Sequence, residues 1–252
     1  QEKTSLKILL FTLISFGLLG LIDDIKLLIT RRSGKFLGLE RKKMFLIQVL
    51  LSLAISGMLY FMAGLNNIYI SGLGNFVING WYIPLSAFVI IAFSNAYNIS
   101  DGLDGLSTGL LTICLFALLV LASATLNLTL ASFIGIWIGS LFAFLYFNIW
   151  PARIYLGDAG ALAFGATLAV VGLLTGKILA LGIIGGVYVI IVISSAAQII
   201  SKRFFGKKIL PVAPIHMYLR YIGWEEPKIV IRLWLVGGIF ATFGLWLALL
   251  SR

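Results

Sequence analysis

The sequence predicts an all-α, polytopic integral membrane protein with about eight transmembrane helices. Three observations carry that expectation. Of 252 residues, 61% are hydrophobic and 11% charged, against about 25% charged in an average soluble domain. Mean hydropathy is +1.09. Uncharged runs recur at lengths that suit the roughly 20 apolar residues a helix needs to cross the hydrocarbon core. A membrane barrel would show short alternating segments instead.

Residues 8–22 suffice for one pass, and the segment from residue 6 lacks the small-residue cleavage pattern of a secretory leader. The 57 uncharged residues of 44–100 make two passes around a Gly/Asn-rich break at 64–80. The 48 of 105–152 make two more, broken near 123–132. Segments 159–176, 178–201 and 233–251 give one pass each, for a total of eight in a single domain over 1–252. Gly182, Gly185 and Gly186 are expected to permit close helix packing. Trp81, Tyr82, Trp150 and Trp224, near segment ends, are expected in an interfacial belt. The lone Cys114 excludes an intramolecular disulfide and a multi-cysteine metal site, and reads as a small buried residue.

Nine acidic residues stand against 19 Lys and Arg, for a net charge of +10. In so hydrophobic a chain that excess serves anionic headgroups and orientation, so membrane lipids are expected partners and nucleic acid is not. Alternating the connections places 26–43, 100–104, 151–158 and 202–232 on one face, with 15 of the 19 basic residues. The other face has Lys3, Lys7, Lys177 and Arg252, so the rich face is cytoplasmic. All five aspartates, Asp23, Asp24, Asp101, Asp104 and Asp158, fall at cytoplasmic helix ends.

Ionisable groups beside membrane segments are costly and mark functional sites. Asp101 and Asp104 are spaced i,i+3, on one face if the stretch is helical. Paired carboxylates suit a hard cation, and magnesium takes one or two of them and completes its shell with water and phosphate oxygens. An acidic cluster ringed by basic loops therefore points to phosphoryl transfer. Gly102, Gly105, Gly157 and Gly160 flank the carboxylates, where a missing side chain allows close approach or an ordinary turn. Asn95 and Asn98 precede Asp101 and can orient a carboxylate or cap the helix. His216 is the only histidine and is available to titrate or to bind phosphate or metal.

The motifs in order are Gly20-Leu-Ile-Asp-Asp24, Asn95-Ala-Tyr-Asn-Ile-Ser-Asp-Gly-Leu-Asp-Gly-Leu106, Phe147-Asn-Ile-Trp-Pro-Ala-Arg-Ile-Tyr-Leu-Gly-Asp-Ala-Gly160, Ala213-Pro-Ile-His216 and Gly223-Trp-Glu-Glu-Pro-Lys228. Together they resemble the polyprenyl-phosphate N-acetylhexosamine-1-phosphate transferase superfamily, most nearly its phospho-N-acetylmuramoyl-pentapeptide-transferase branch. The resemblance implies a ten-helix fold of which two N-terminal helices are absent, the first residue being Gln. It implies a bacterial inner-membrane enzyme of peptidoglycan synthesis, often dimeric, with a cytoplasmic active site. That enzyme moves phospho-N-acetylmuramoyl-pentapeptide from its UDP carrier to undecaprenyl phosphate, giving lipid I and UMP, with magnesium required.

Carried over by motif, Asp158 resembles the magnesium ligand, and Asp23 and Asp24 the pair that activates or positions the lipid phosphate. Asp101, Asp104, Asn95, Asn98 and Asn148 resemble the polar set around the donor. Tyr155 falls where the family has Phe against uracil, and Gln198 where it has a polar residue at the nucleoside pocket. Three features depart from the family. Its triple histidine reads His216-Met217-Tyr218, the Lys after the Asp pair is displaced to Lys26, and Lys42 or Lys43 replaces the basic residue after Gly38-Leu39. Direct attack by the lipid phosphate is favoured over a covalent aspartyl intermediate. The alternatives are a related UDP-N-acetylhexosamine transferase, a cation-coupled transporter with midplane carboxylates, and an inactive scaffold.

Overall fold

The computed structural model describes residues 2–32, 38–70 and 74–250. Its helices are α1 (Glu2–Arg32), α2 (Arg41–Gly57), α3 (Tyr82–Ser100), α4 (Leu106–Ala124), α5 (Leu128–Asn148), α6 (Gly157–Leu174), α7 (Ile178–Ile184), α8 (Gly186–Phe204), α9 (Ile215–Tyr221) and α10 (Glu226–Leu249). Among the described residues eight helical segments are long and apolar enough to cross a membrane, and the protein is a multi-pass membrane protein. In the second of these, α2 is prolonged by a short π-helical stretch.

Three segments depart from the expected passes. The Gly/Asn-rich break forms an antiparallel hairpin of β1 (Asn67–Ile70) and β2 (Gly74–Val77), paired from Asn67 with Val77 to Ile70 with Gly74. Apolar content alone could not separate this hairpin from a loop, because each strand is only four residues long. The expected pass 178–201 is two helices, α7 and α8, broken at Gly185. The first and last helices overrun their uncharged cores, since α1 continues past Asp24 and α10 begins ahead of Lys228 and Arg232. Charges near a span end reach the interface along their side chains, so charge marks the apolar core better than the helix end.

The core is one continuous cluster drawn from all the long helices, with Leu106, Leu110, Leu111, Leu115 and Leu118 of α4 and Leu162, Ala166, Ala169 and Val170 of α6 fully enclosed. Small residues let these helices approach. A Cβ on Gly109 would lie 2.0 Å from the Trp234 ring, and one on Gly165 2.5 Å from the Phe93 carbonyl oxygen. Gly185 and Gly186 likewise abut Phe93 and Phe240, but Gly182 faces open space. Tyr82 is a core residue rather than part of the belt, whereas Trp81 is exposed. Cys114 is buried as expected, its thiol donating to the Ile184 carbonyl at 3.4 Å.

Helix polarity sorts the connections. The C-terminal ends of α1, α3, α5 and α8 and the N-terminal ends of α2, α4, α6 and α10 carry the acidic and basic loops. The opposite end joins Glu2 to Thr129 and stacks Lys177 on the Tyr69 ring of the hairpin, 3.5 Å from its centroid.

Candidate active site

The acidic end is built on the packing of α1 against α6, the most extensive helix pair in the molecule. Gly20 makes that approach possible, because a Cβ there would lie 2.1 Å from the Asp158 carbonyl oxygen. The approach carries Asp24 onto the start of α6. Its Oδ1 accepts from the Asp158 N–H at 3.2 Å and its Oδ2 from the Ala159 N–H at 3.0 Å. These are first-turn amides with no intrahelical partner, and a carboxylate there also meets the positive end of the helix dipole. Such a cap contributes on the order of 1 kcal/mol. Gly157, at φ +67, turns the chain into α6, and a Cβ on it would sit 2.7 Å from Asp24 Oδ2. Gly20 and Gly157 are therefore close-approach glycines, not ordinary turn residues.

Asp23 sits beside this cap. Its Oδ1 accepts from the Leu39 N–H, which brings the start of α2 back over the end of α1, and Gly38 leaves room for the carboxylate. The Asp158 side chain stands close to Asp23, Asp24 and Asn98. Three chain segments thus put three carboxylates and an amide together. Asn95, one turn earlier on α3, donates to Gln48 Oε1 at 2.8 Å and to the Ile91 carbonyl at 2.8 Å, linking α3 to α2.

Asp101 and Asp104 do not share a helix face. Residues 101–105 form a turn between α3 and α4, with Gly105 at φ +76, so the i,i+3 premise fails and the two carboxylates diverge. Asp101 Oδ1 accepts from the Ser107 hydroxyl, and the Tyr188 hydroxyl donates to the Ser107 carbonyl at 2.5 Å. Burial pushes the Asp101 carboxyl up to about 6, with Ser107 opposing and Asp104 adding to the rise. Asp104 Oδ2 accepts from the Ala152 N–H at 2.8 Å, and its own N–H donates to Glu226 Oε1 at 2.8 Å.

His216, on α9, is buried against this turn, and a Cβ on Gly102 would come within 3.3 Å of its Nε2. Its Nδ1 has no hydrogen-bond partner among the described residues. Burial pushes the imidazole down to about 4, so it is neutral near pH 7.

Two other expected residues, Asn148 and Gln198, hold loops. Asn148 is buried, its Nδ2 donating to the Ile154 carbonyl at 3.0 Å and its Oδ1 accepting from Thr108 at 3.3 Å. Gln198 fastens the loop after α8 through the Ile209 and Leu210 N–H groups, each at 3.0 Å, and the Leu210 carbonyl at 2.9 Å. Tyr155 is 74% exposed. Lys43 is exposed and pairs with Glu40 at 3.3 Å.

Sequence reasoning gave no role to Ser107, Gln48 or Glu226. Glu226 was visible as an acid inside a quoted motif, whereas Ser107 and Gln48 carry no signal apart from their partners. Among the described residues no group of three or more His, Cys, Asp and Glu is arranged to hold a metal. Asp101 and Asp104 lie in the turn after α3, Asp158 in the first turn of α6, and Asp23 and Asp24 within α1 about two turns before its C-terminal end rather than at helix ends as expected. None is at the middle of a long helix, which argues against the midplane ion site of a transporter.

The profile of glycosyl transferase family 4 matches residues 6–176. A phospho-N-acetylmuramoyl-pentapeptide-transferase of Bacillus velezensis is 34% identical over 241 residues, which cover 95% of this chain and 74% of the relative. The protein of that description from Pelagibacter ubique is 37% identical over 257 residues, covering 94% and 70%. That from Geobacillus kaustophilus is 36% identical over 247 residues, covering 97% and 75%.

Proposed function

The chain belongs to glycosyl transferase family 4 and, within it, to the phospho-N-acetylmuramoyl-pentapeptide-transferases, and from that premise we propose how its acidic end performs the transfer. The donor is UDP-N-acetylmuramoyl-pentapeptide and the acceptor undecaprenyl phosphate in the bacterial inner membrane. An acceptor phosphate oxygen attacks the sugar-linked phosphorus, and the bond from that phosphorus to the bridging oxygen breaks. UMP leaves with the bridging oxygen, and lipid I remains. The observation that carries this reading is the seating of Asp24 on the Asp158 and Ala159 amides, which brings Asp23, Asp24 and Asp158 to one place.

The donor set suits magnesium, which takes hard oxygens from one or two carboxylates and completes its shell with phosphate oxygens and water. Asp158 would hold it, with Asp23 adjacent. Bound there, magnesium would offset the diphosphate charge and polarise the phosphoryl group.

The chain's own groups divide the remaining work. Asp24 uses both oxygens on α6 amides and so holds Asp158 in place. Asp23 keeps an oxygen beyond its Leu39 bond and is the carboxylate placed to orient the acceptor phosphate or take its proton. Asn98 of α3 stands beside Asp158. Asp101 and neutral His216 line the adjoining turn. Catalysis of this kind is positioning and electrostatics. The excess of Lys and Arg in the loops of this face supports a cytoplasmic site able to attract a polyanionic donor.

Purified protein given undecaprenyl phosphate, labelled donor and magnesium is expected to release UMP and lose that activity with a chelator. Transfer of UDP-N-acetylglucosamine in preference to the muramoyl donor would overturn the donor assignment. Trapping of a phospho-sugar on an aspartate in a single turnover would overturn direct attack.

A further inference from the structure

The Gly223-Trp-Glu-Glu-Pro-Lys228 motif has no part in the reading above, yet one of its carboxylates enters the site from below. Glu226 is the first residue of α10, and its side chain is only 14% exposed. Its Oε1 accepts the Asp104 backbone N–H at 2.8 Å, and its Oε2 lies 3.5 Å from Arg220 Nη1. Arg220 stands four residues after His216 on α9, one turn along the helix. A single carboxylate therefore joins α10 to the 101–105 turn and to the helix that carries the only histidine.

Neither joined element can fix itself. A helix of seven residues is too short to be stable alone, and the turn lacks a ladder of backbone bonds. At its N-terminal end α9 is tied by the Ile215 N–H to Ser194 Oγ at 3.1 Å, and at its C-terminal end by the ion pair of Arg220 with Glu226. Meanwhile Asp104 holds the Ala152 N–H, so Glu226 also sets the level of the 150–153 loop through the turn. The result is the close approach of His216 Nε2 to Gly102, next to Asp101.

We propose that Glu226 is a positioning residue for the transfer. Its carboxylate sets the α9 helix against the 101–105 turn, and hence His216 against Asp101, without itself touching substrate. This rests on the transferase reading for its rate consequence and on the Glu226 contacts with Asp104 and Arg220 for its geometry. Misplacement of a reacting group by about 1 Å can reduce a rate about 100-fold while leaving binding determinants in place.

The test compares Glu226→Ala and Glu226→Gln in the full chain, reading UMP release per folded molecule and hydrogen exchange of the turn. Glu226→Ala is expected to lower kcat about 30-fold with KM for both substrates within about threefold. Glu226→Gln keeps a neutral Oε1 acceptor for the Asp104 N–H and is expected to recover to within about fivefold of the parent. In Glu226→Ala, exchange should rise at 101–105, at 215–221 and in the 150–153 loop tied to the turn, and nowhere else. A purely structural role would lower the melting temperature while leaving kcat per folded molecule unchanged, and that result overturns the proposal, as does a Gln variant no better than Ala. If Glu226→Ala does not fold, Glu226→Asp, which withdraws the oxygens by one methylene, should lose at least about fivefold in kcat. Parental kcat in that variant overturns the proposal. If the parent releases no UMP, the transferase reading fails by itself. The exchange measurement then still decides the geometric claim, and unchanged protection at both segments ends it.

Discussion

The α1–α6 junction and the 101–105 turn each bring aspartates to the same end of the bundle, and they treat them in opposite ways. At the junction, residues more than 130 positions apart in the chain are pressed together until Asp158 stands beside Asp23 and Asp24. In the turn, two aspartates three residues apart are each taken up by a different partner, one by the Ser107 hydroxyl and one by the Ala152 amide. Crowded like charges disfavour one another's ionisation, so under the proposed function the junction is the site for a cation and the turn a scaffold. Proximity in sequence is a poor guide to proximity of carboxyl oxygens.

The comparison can be broken most sharply at Asp158. Asp158→Asn removes the charge from the crowded set and is expected to lower UMP release on the order of 10³-fold, whereas residual turnover near the parent would place the cation elsewhere. Next comes the packing that makes the junction. Gly20→Ala puts a methyl against the Asp158 carbonyl and should cost about 100-fold in kcat together with a lower melting temperature. Asp104→Asn keeps an oxygen for the Ala152 amide, so a fall of only about tenfold is expected. A loss equal to that of Asp158→Asn would show that the turn carries charge-dependent chemistry as well.

The buried histidine gives the turn a pH signature. His216 falls to about 4 from an ordinary 6.5, so the stability it contributes is present above 6.5 and lost as pH falls through 4. Asp101 rises to about 6 from 3.8, so its contribution is present below 3.8 and lost as pH rises through 6. The two oppose one another between pH 7 and 4. His216→Gln removes one arm, and the variant should gain up to about 3 kcal/mol relative to the parent on acidification from pH 7 to 4, read from paired denaturation curves. Equal pH slopes in parent and variant would mean that the imidazole is not buried. The smallest effect is at Lys43, whose exposed pair with Glu40 should shift stability by less than about 0.5 kcal/mol in Lys43→Ala. A rise in donor KM in that variant would assign the lysine to the polyanion.

The sequence alone determined the eight passes, because burying backbone polar groups in lipid leaves helices as the economical solution and charge sets their limits. It also determined which face carries the aspartates, since alternation of passes is arithmetic. The hairpin and the break at Gly185 lay below what apolar content can resolve. Tertiary structure alone decided which carboxylates meet. Gly20 reads in the sequence as one small residue among many, and only the approach of α6 turns it into the space that lets Asp24 cap that helix. Glu226 reads as a helix-start acid until the Asp104 amide arrives against it. Hydrogen bonds act over about 3 Å and depend on direction, so partners from distant segments are fixed by packing and leave no local pattern to read.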